Sequence, residues 1–313
     1  MRARIEPACT MVVDGRTPRT FYCDRSIDDR TDATMPATTT TVTAKTAPLR
    51  RGHQMTDTPA DGVERLVKST ERVRDLGEVF TPAGTVQAML DLLPSDMWQP
   101  HPSPTFLEPA CGDGNFLVAI LARKLDNITT ARANHALPGG NTDDAVIFHA
   151  LEAVASIYAV DISVDNIIGG TPGHETGART RMLNVLNDWH QRHFGKRLTV
   201  RNVVMQTSQW IVDRNIQVGN MLASDADGTP SGRDRLPLVA YTWHPDDLIV
   251  AVAETTLGAV MAAGTAETTG VMSLFDTDEP ATVWTGPACE LRKAPIVAVS
   301  AFTGEARNGN GRR

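Results

Sequence analysis

The chain has 313 residues, 41% of them hydrophobic, and a formal net charge of -7. That length suits one α/β domain with additions or two small domains. The acidic balance argues against a protein that grips a DNA backbone unaided, since each phosphate contact draws on a Lys or Arg. Cys9, Cys23, Cys111 and Cys289 are scattered with no Cys-x-x-Cys pair. They point away from a zinc site, so no metal is expected, and they read as free thiols in a reducing cytoplasm. No run of about 18 apolar residues occurs, so no membrane span is expected. Arg2 and Arg4 have no apolar stretch behind them, unlike a secretory signal.

The segment from Thr31 to Thr46 is mostly Thr and Ala around Pro36. It has little to bury and cannot offset its ordering entropy, so residues 1–60 are expected to be a disordered extension. Met55 opens a stretch that reads as a natural start, which would make residues 1–54 dispensable. From Val63 to Leu76 charged and apolar residues alternate at helical spacing. "GEVFTP" is a break, and Pro82 suits the first turn of a helix through Val86, Met89, Leu90 and Leu93, ended by Pro94.

"SPTFLEPA" reads as a short buried strand. "DGNFLVAILARKL" follows as a helix with Phe116, Leu117, Ile120 and Leu121 inward. "NITTARANHALPGGNTDD" is polar enough for a loop, and "AVIFHALEAVAS" is helical. "IYAVDI" is an apolar run ending in an acid, hence a strand, and Ser163 is placed to cap a helix at "SVDN". "GGTPGHETG" interrupts, and helix resumes over "ARTRMLNVLNDWHQRHF". A third strand is expected near Ile216 to Val218 and a fourth at "LPLVAYTW". Past Glu254 the chain is rich in Ala, Thr and Gly. The expected organisation is an extension over 1–60, an α/β domain over 61–254, and a C-terminal part over 255–313 that is partly ordered at most. Strands alternating with helices argue for a doubly wound, mostly parallel sheet covered by helices on both faces. Ligands of such sheets bind beyond the carboxyl ends of the strands.

Three features fall at those ends. After "TFL" the chain must turn sharply into a helix at Asn115; Gly112 and Gly114 permit positive φ and close approach of a ligand to backbone amides. No Walker-type GK[ST] follows, and the third glycine of a dinucleotide fingerprint is missing. A plain glycine turn explains the loop as well as a ligand cradle does. Asp161, ending the next strand, could take a ribose diol or simply serve as a cap or surface acid. Gly219-Asn220 follows the third strand; Asn220 could read an adenine edge, and a tight turn accounts for it equally.

Taken in order, "GEVFTP", "LEPACGDGNFL", "YAVDI" and "VGNML" resemble the adenine-type DNA methyltransferases, including the modification subunits of restriction systems. The resemblance covers roughly 77–222, close to half the chain. It implies a Rossmann-like, class I methyltransferase-type sheet binding S-adenosylmethionine. By motif, Thr81 would touch the methionine carboxylate with Phe80 packed beside the cofactor. Glu108 would sit under the amino group, and Ala110, Gly112 and Gly114 would let the cofactor lie on the backbone. Asp161 would take the ribose hydroxyls. Asn220 stands where the family usually has Asp beside the cofactor's adenine. The implied partners are DNA and a specificity or restriction subunit.

One part of the family pattern is missing. The catalytic [DNS]PP[YFW] turn holds the target amino group and stacks on the flipped base, and it does not occur here. The nearest stretch is "AYTWHPDD". There Trp243 or Tyr241 could stack and His244 or Asp246 could hold the amine; a strand end with polar surface residues is the simpler account. Arg179, Arg181, Arg192, Lys196, Arg197 and Arg201 form a basic run that is either a solvated helix face or a DNA-facing one.

Overall fold

The computed structural model describes residues 79–170, 175–221, 236–259 and 282–295, with Val73 and the backbone of 11–14 and 17–20. The expected helix over Val63 to Leu76, other than Val73, lies outside the described residues, as do the Thr/Ala-rich segment and Met55. So does the middle of the "GGTPGHETG" interruption.

A mixed five-stranded sheet has the order β2-β1-β3-β4-β5. Its strands are β1 (Met11–Asp14), β2 (Thr17–Thr20), β3 (Thr105–Glu108), β4 (Ile157–Asp161) and β5 (Ile216–Val218). β3, β4 and β5 run parallel, with Phe106 opposite Ile157 and Ala159 opposite Ile216. β1 and β2 form an antiparallel hairpin, and β1 adds antiparallel to β3. This hairpin falls inside the stretch expected to be disordered.

The helices are α1 (Ala83–Leu90), α2 (Asn115–Ala133), α3 (Asp143–Ala155), α4 (Val164–Ile167), α5 (Ala178–Phe194) and α6 (Val203–Asn215). α2 packs on α3 and α5, and both of those pack on α6, so the four long helices form one layer. Phe106, Ile157, Ala159 and Ile216 share their core. None of the described helices is long and apolar enough to cross a membrane.

Two local departures from expectation have clear causes. α2 does not stop at Leu125 but continues through "NITTARA". Ile128 is buried, Thr129 accepts from the Trp189 indole (2.9 Å), and both Thr129 and Thr130 return their hydroxyls to carbonyls one turn back. Those side chains spend their polarity on the helix rather than on a loop. α6 also forms where no helix was expected. Asn202 caps its start by accepting from the Val204 amide (2.8 Å), and Trp210, Ile211 and Val212 are buried.

The other face of the sheet differs more. It carries no helical layer among the described residues. A second, antiparallel sheet lies there, formed by β6 (Pro237–His244), β7 (Ile249–Thr256) and β8 (Thr282–Pro287). Strand alternation explains the split. Leu107, Tyr158, Val160 and Gln217 point away from the helices. Leu107 and Val160 meet Leu236, Leu238 and Leu257 in a small apolar cluster. Tyr158 donates to the Val239 carbonyl (2.6 Å) and Gln217 to that of Pro237 (2.7 Å). The expected fourth strand therefore exists but does not extend the parallel sheet; the described residues form a mixed α/β structure with three parallel strands and long helices on one face of the sheet. β7 and β8 also give regular structure to parts of the chain on either side of Glu254.

Candidate functional site

The carboxyl ends of β3, β4 and β5 meet at one edge, and there the glycine loop is held from several sides. Gly112 has φ 55° and Gly114 φ 93°, both in the left-handed region. Asp161 closes the loop onto β4. Its Oδ2 accepts from the Gly112 amide (2.9 Å), and its Oδ1 accepts from the Ser163 amide (2.8 Å) and Asn166 Nδ2 (3.0 Å). Ser163 precedes α4 as expected, but its hydroxyl makes no capping bond; its amide is what matters. The Cys111 amide donates to Val160 (3.0 Å), carrying the ladder into the loop. Burial first, and then the charge of Asp161, push the Cys111 thiol well up, so it is an inert packing group.

The "FTP" segment folds over this loop. Phe80 is buried, and its ring edge lies 3.1 Å from where a Cβ on Gly112 would stand. The Thr81 carbonyl accepts from Asn115 Nδ2 (3.0 Å), at the first residue of α2. Asn115 Oδ1 in turn accepts from Arg181 of α5 (2.8 Å). Arg181 also donates to the Asp113 carbonyl (2.9 Å) and pairs with its carboxylate (2.8 Å). Gly114 is closed from the same side, because a Cβ there would fall 3.0 Å from that of Ala178.

The structure thus brings together Phe80, Thr81, Gly112, Gly114 and Asp161. Glu108 is buried at the end of β3, and Ala110 is exposed on the loop. Asn220 is exposed just past β5, next to Gly219, whose amide donates to the Asp161 carbonyl (2.9 Å). Around them Val79, Ile162 and Val164 are each more than half exposed, so apolar surface flanks the polar loop. A carboxylate has about four acceptor positions. Three donors already reach Asp161, which leaves room for one ligand hydroxyl as it stands rather than a full diol.

Trp243, His244 and Asp246 are not part of this assembly. β6 starts beside Gly219, where Leu236 approaches, and runs antiparallel to β5 across the sheet. Tyr241 donates to Asn215 Oδ1 (3.0 Å), before β5 begins, and Trp243 meets Phe148 of α3 edge-on, with centroids 5.2 Å apart. The Pro245 carbonyl crowds Gly139, and Asp246 acts on His101, ahead of β3. These residues lie at the amino ends of the parallel strands, a whole strand length from the glycine loop.

Much of the basic run is also committed elsewhere. Arg179 donates to the Ile216 and Asp213 carbonyls and to the Asp213 carboxylate, and Arg197 pairs with Asp188 (2.6 Å). Sequence reasoning missed Asn115, Asn166 and Arg181 as loop-holding residues. Arg181 was visible only as one member of a charged helix. No family model matches the chain, and no match is found among curated proteins or solved structures.

Proposed function

We propose that the chain is an S-adenosylmethionine-binding protein of the adenine-type DNA methyltransferase kind, with a Rossmann-like cofactor half, acting on an adenine amino group in DNA. The observation that carries this is the glycine loop closed at once by Asp161 and by the "FTP" segment. A ribose-bearing ligand with an apolar side needs a hydroxyl acceptor and apolar surface close together, and the spare acceptor position of Asp161 beside exposed Val79, Ile162 and Val164 supports this reading. Glu108 and Thr81 serve the methionine end, Asp161 the ribose and Asn220 the adenine. Calorimetric titration with S-adenosylmethionine tests it. The expected result is saturable binding that Asp161→Ala abolishes; no binding by the wild-type chain rejects the reading.

A specific observation favours a narrower reading, in which the chain binds the cofactor but lacks its own catalytic turn. No [DNS]PP[YFW] sequence occurs, and the strand that should present it, β6, delivers its far end to the opposite edge of the sheet. The free edge of β3 is taken instead by β1. On this reading the target-holding groups come from a partner, such as a specificity or restriction subunit. Labelled-methyl transfer to DNA, with and without host extract, separates the two. Transfer by the purified chain alone supports a complete enzyme, and transfer only with extract supports the subunit.

A further inference from the structure

The amino ends of the parallel strands hold a second polar cluster that the cofactor reading does not use. His149 and Glu152 lie one turn apart on α3, so they share a face. The loop ahead of β3 brings His101 to them. His101 Nδ1 is 2.9 and 3.1 Å from the two Glu152 oxygens, and His149 Nδ1 is 3.3 Å from Oε2. The Ser103 amide donates to Oε1 (2.9 Å). His149 is fully buried, Glu152 nearly so, and the His101 side chain is 21% exposed.

The ring of His149 decides how this cluster is read. Its Nε2 sits 2.9 Å from the Pro138 carbonyl, which can only accept, so Nε2 carries the hydrogen. With that hydrogen on Nε2, the contact between Nδ1 and the carboxylate oxygen is favourable either with a second proton on the ring or with a metal cation between them. A metal-ligating histidine usually donates its other ring N–H to a carboxylate, a backbone carbonyl or water, the place the Pro138 carbonyl takes at His149. All three ligand atoms fall within 4.8 Å of one another. Ligands at about 2.0–2.2 Å from a tetrahedral zinc ion stand roughly 3.3 Å apart, so the cluster needs only small adjustment.

We propose that His101 Nδ1, His149 Nδ1 and Glu152 bind one divalent transition-metal ion of the zinc type, with the fourth position facing solvent beside His101. Lys124, which donates to Ser103 Oγ (2.8 Å) and the Pro104 carbonyl (2.7 Å), and Asp246 are the nearby charged groups. The site would tie α3 to the loop ahead of β3 at the end of the sheet remote from the glycine loop.

The test uses the full chain, stripped with chelator and dialysed against ZnCl2, with bound zinc counted by mass spectrometry. One tightly held zinc per chain is expected. His149→Gln and His101→Gln should each weaken it by at least the roughly 10–100-fold that loss of an outer partner costs. Two measurements on the unmutated protein cover variants that fail to fold. Cobalt(II) should give the visible bands of a low-coordinate nitrogen and oxygen site without thiolate charge transfer, which excludes the cysteines. Nitrogen NMR of the zinc-loaded protein should show His149 singly protonated. No zinc bound, zinc uptake indifferent to both substitutions, thiolate bands with cobalt, or a doubly protonated His149 in zinc would each overturn the proposal.

Discussion

Asp161→Asn tests the account of the glycine loop most directly, because it changes one acceptor and almost no volume. Oδ1 serves two donors, Ser163 N and Asn166 Nδ2, while Oδ2 serves one, the Gly112 amide. An asparagine has a single oxygen. It should settle in the Oδ1 position, keep the two donors there, and turn its NH2 toward the Gly112 N–H, where donor meets donor. A hydrogen bond to a charged group is worth about 1.5–3 kcal/mol, and water can recover part of it at half-buried Gly112. Loss of charge weakens the other two bonds by about half. The expected cost is about 2–4 kcal/mol in urea unfolding. Local opening should make Gly112 amide exchange roughly 30-fold faster for about 2 kcal/mol lost there. Ser163→Ala is the control and should stay within about 0.5 kcal/mol, since that hydroxyl makes no cap. Wild-type exchange at Gly112 together with an unchanged unfolding midpoint in Asp161→Asn would refute the latch.

Three further outcomes follow from the same structure. Gly114→Ala forces a side chain to φ 93° and to within 3.0 Å of Ala178 Cβ, so urea unfolding should show about 2–5 kcal/mol lost from combined backbone strain and overpacking. His244→Ala should leave S-adenosylmethionine affinity unchanged by calorimetry, because His244 is exposed at the far end of β6; a loss of more than about 10-fold, or about 1.4 kcal/mol, would contradict that placement. Burial lowers Lys124 to about 7, against the opposing pull of Glu152, so the unfolded chain holds that proton more tightly. Metal-free wild type should therefore gain stability over Lys124→Met as pH rises from about 7 toward 10.5, by at most about 1.4 kcal/mol per pH unit, and lose that advantage as pH falls through 7. A pH-independent difference in urea midpoints would show that Lys124 keeps an ordinary value.

What could be read in the sequence was whatever depends on short-range pattern. The strand-loop-helix from Thr105 onward, the strand ending at Asp161, α5 and β5 each carry their signal within a few residues. The continuation of α2 was hidden because Thr129 and Thr130 look like loop residues until Trp189, sixty positions on, supplies a partner. The placement of β6 was hidden for a related reason. "LPLVAYTW" is a good strand in any sheet, and it is long-range partners, Leu107 and Val160 against Leu236 and Leu238 with Tyr158 and Gln217 on its carbonyls, that lay it across the parallel sheet rather than beside it. Arg181 was legible as a charge and not as a clamp, since its targets, Asp113 and Asn115, come from another helix start.

The two ends of the parallel strands follow different physical rules, and that bears on how the molecule works. At the carboxyl end the backbone is bent by glycines, the Cys111, Gly112 and Gly114 amides are paired within the protein, and one carboxylate holds the loop with an acceptor position to spare. On the proposed reading such an edge takes up and releases the cofactor. At the amino end His149 and Glu152 are sealed, the local backbone amide of Ser103 is already paired, and only His101 touches solvent. On the proposed metal reading such an edge keeps its ion. β6 and the residues flanking it join the two, since Leu236 lies beside Gly219 at one edge while Pro245 and Asp246 reach Gly139 and His101 at the other. A ligand that displaced Leu236 beside Gly219 would pull on the same strand whose far end buttresses the histidine cluster. The register of β6 on the sheet is fixed by the Tyr158 and Gln217 side chains bonding its Val239 and Pro237 carbonyls.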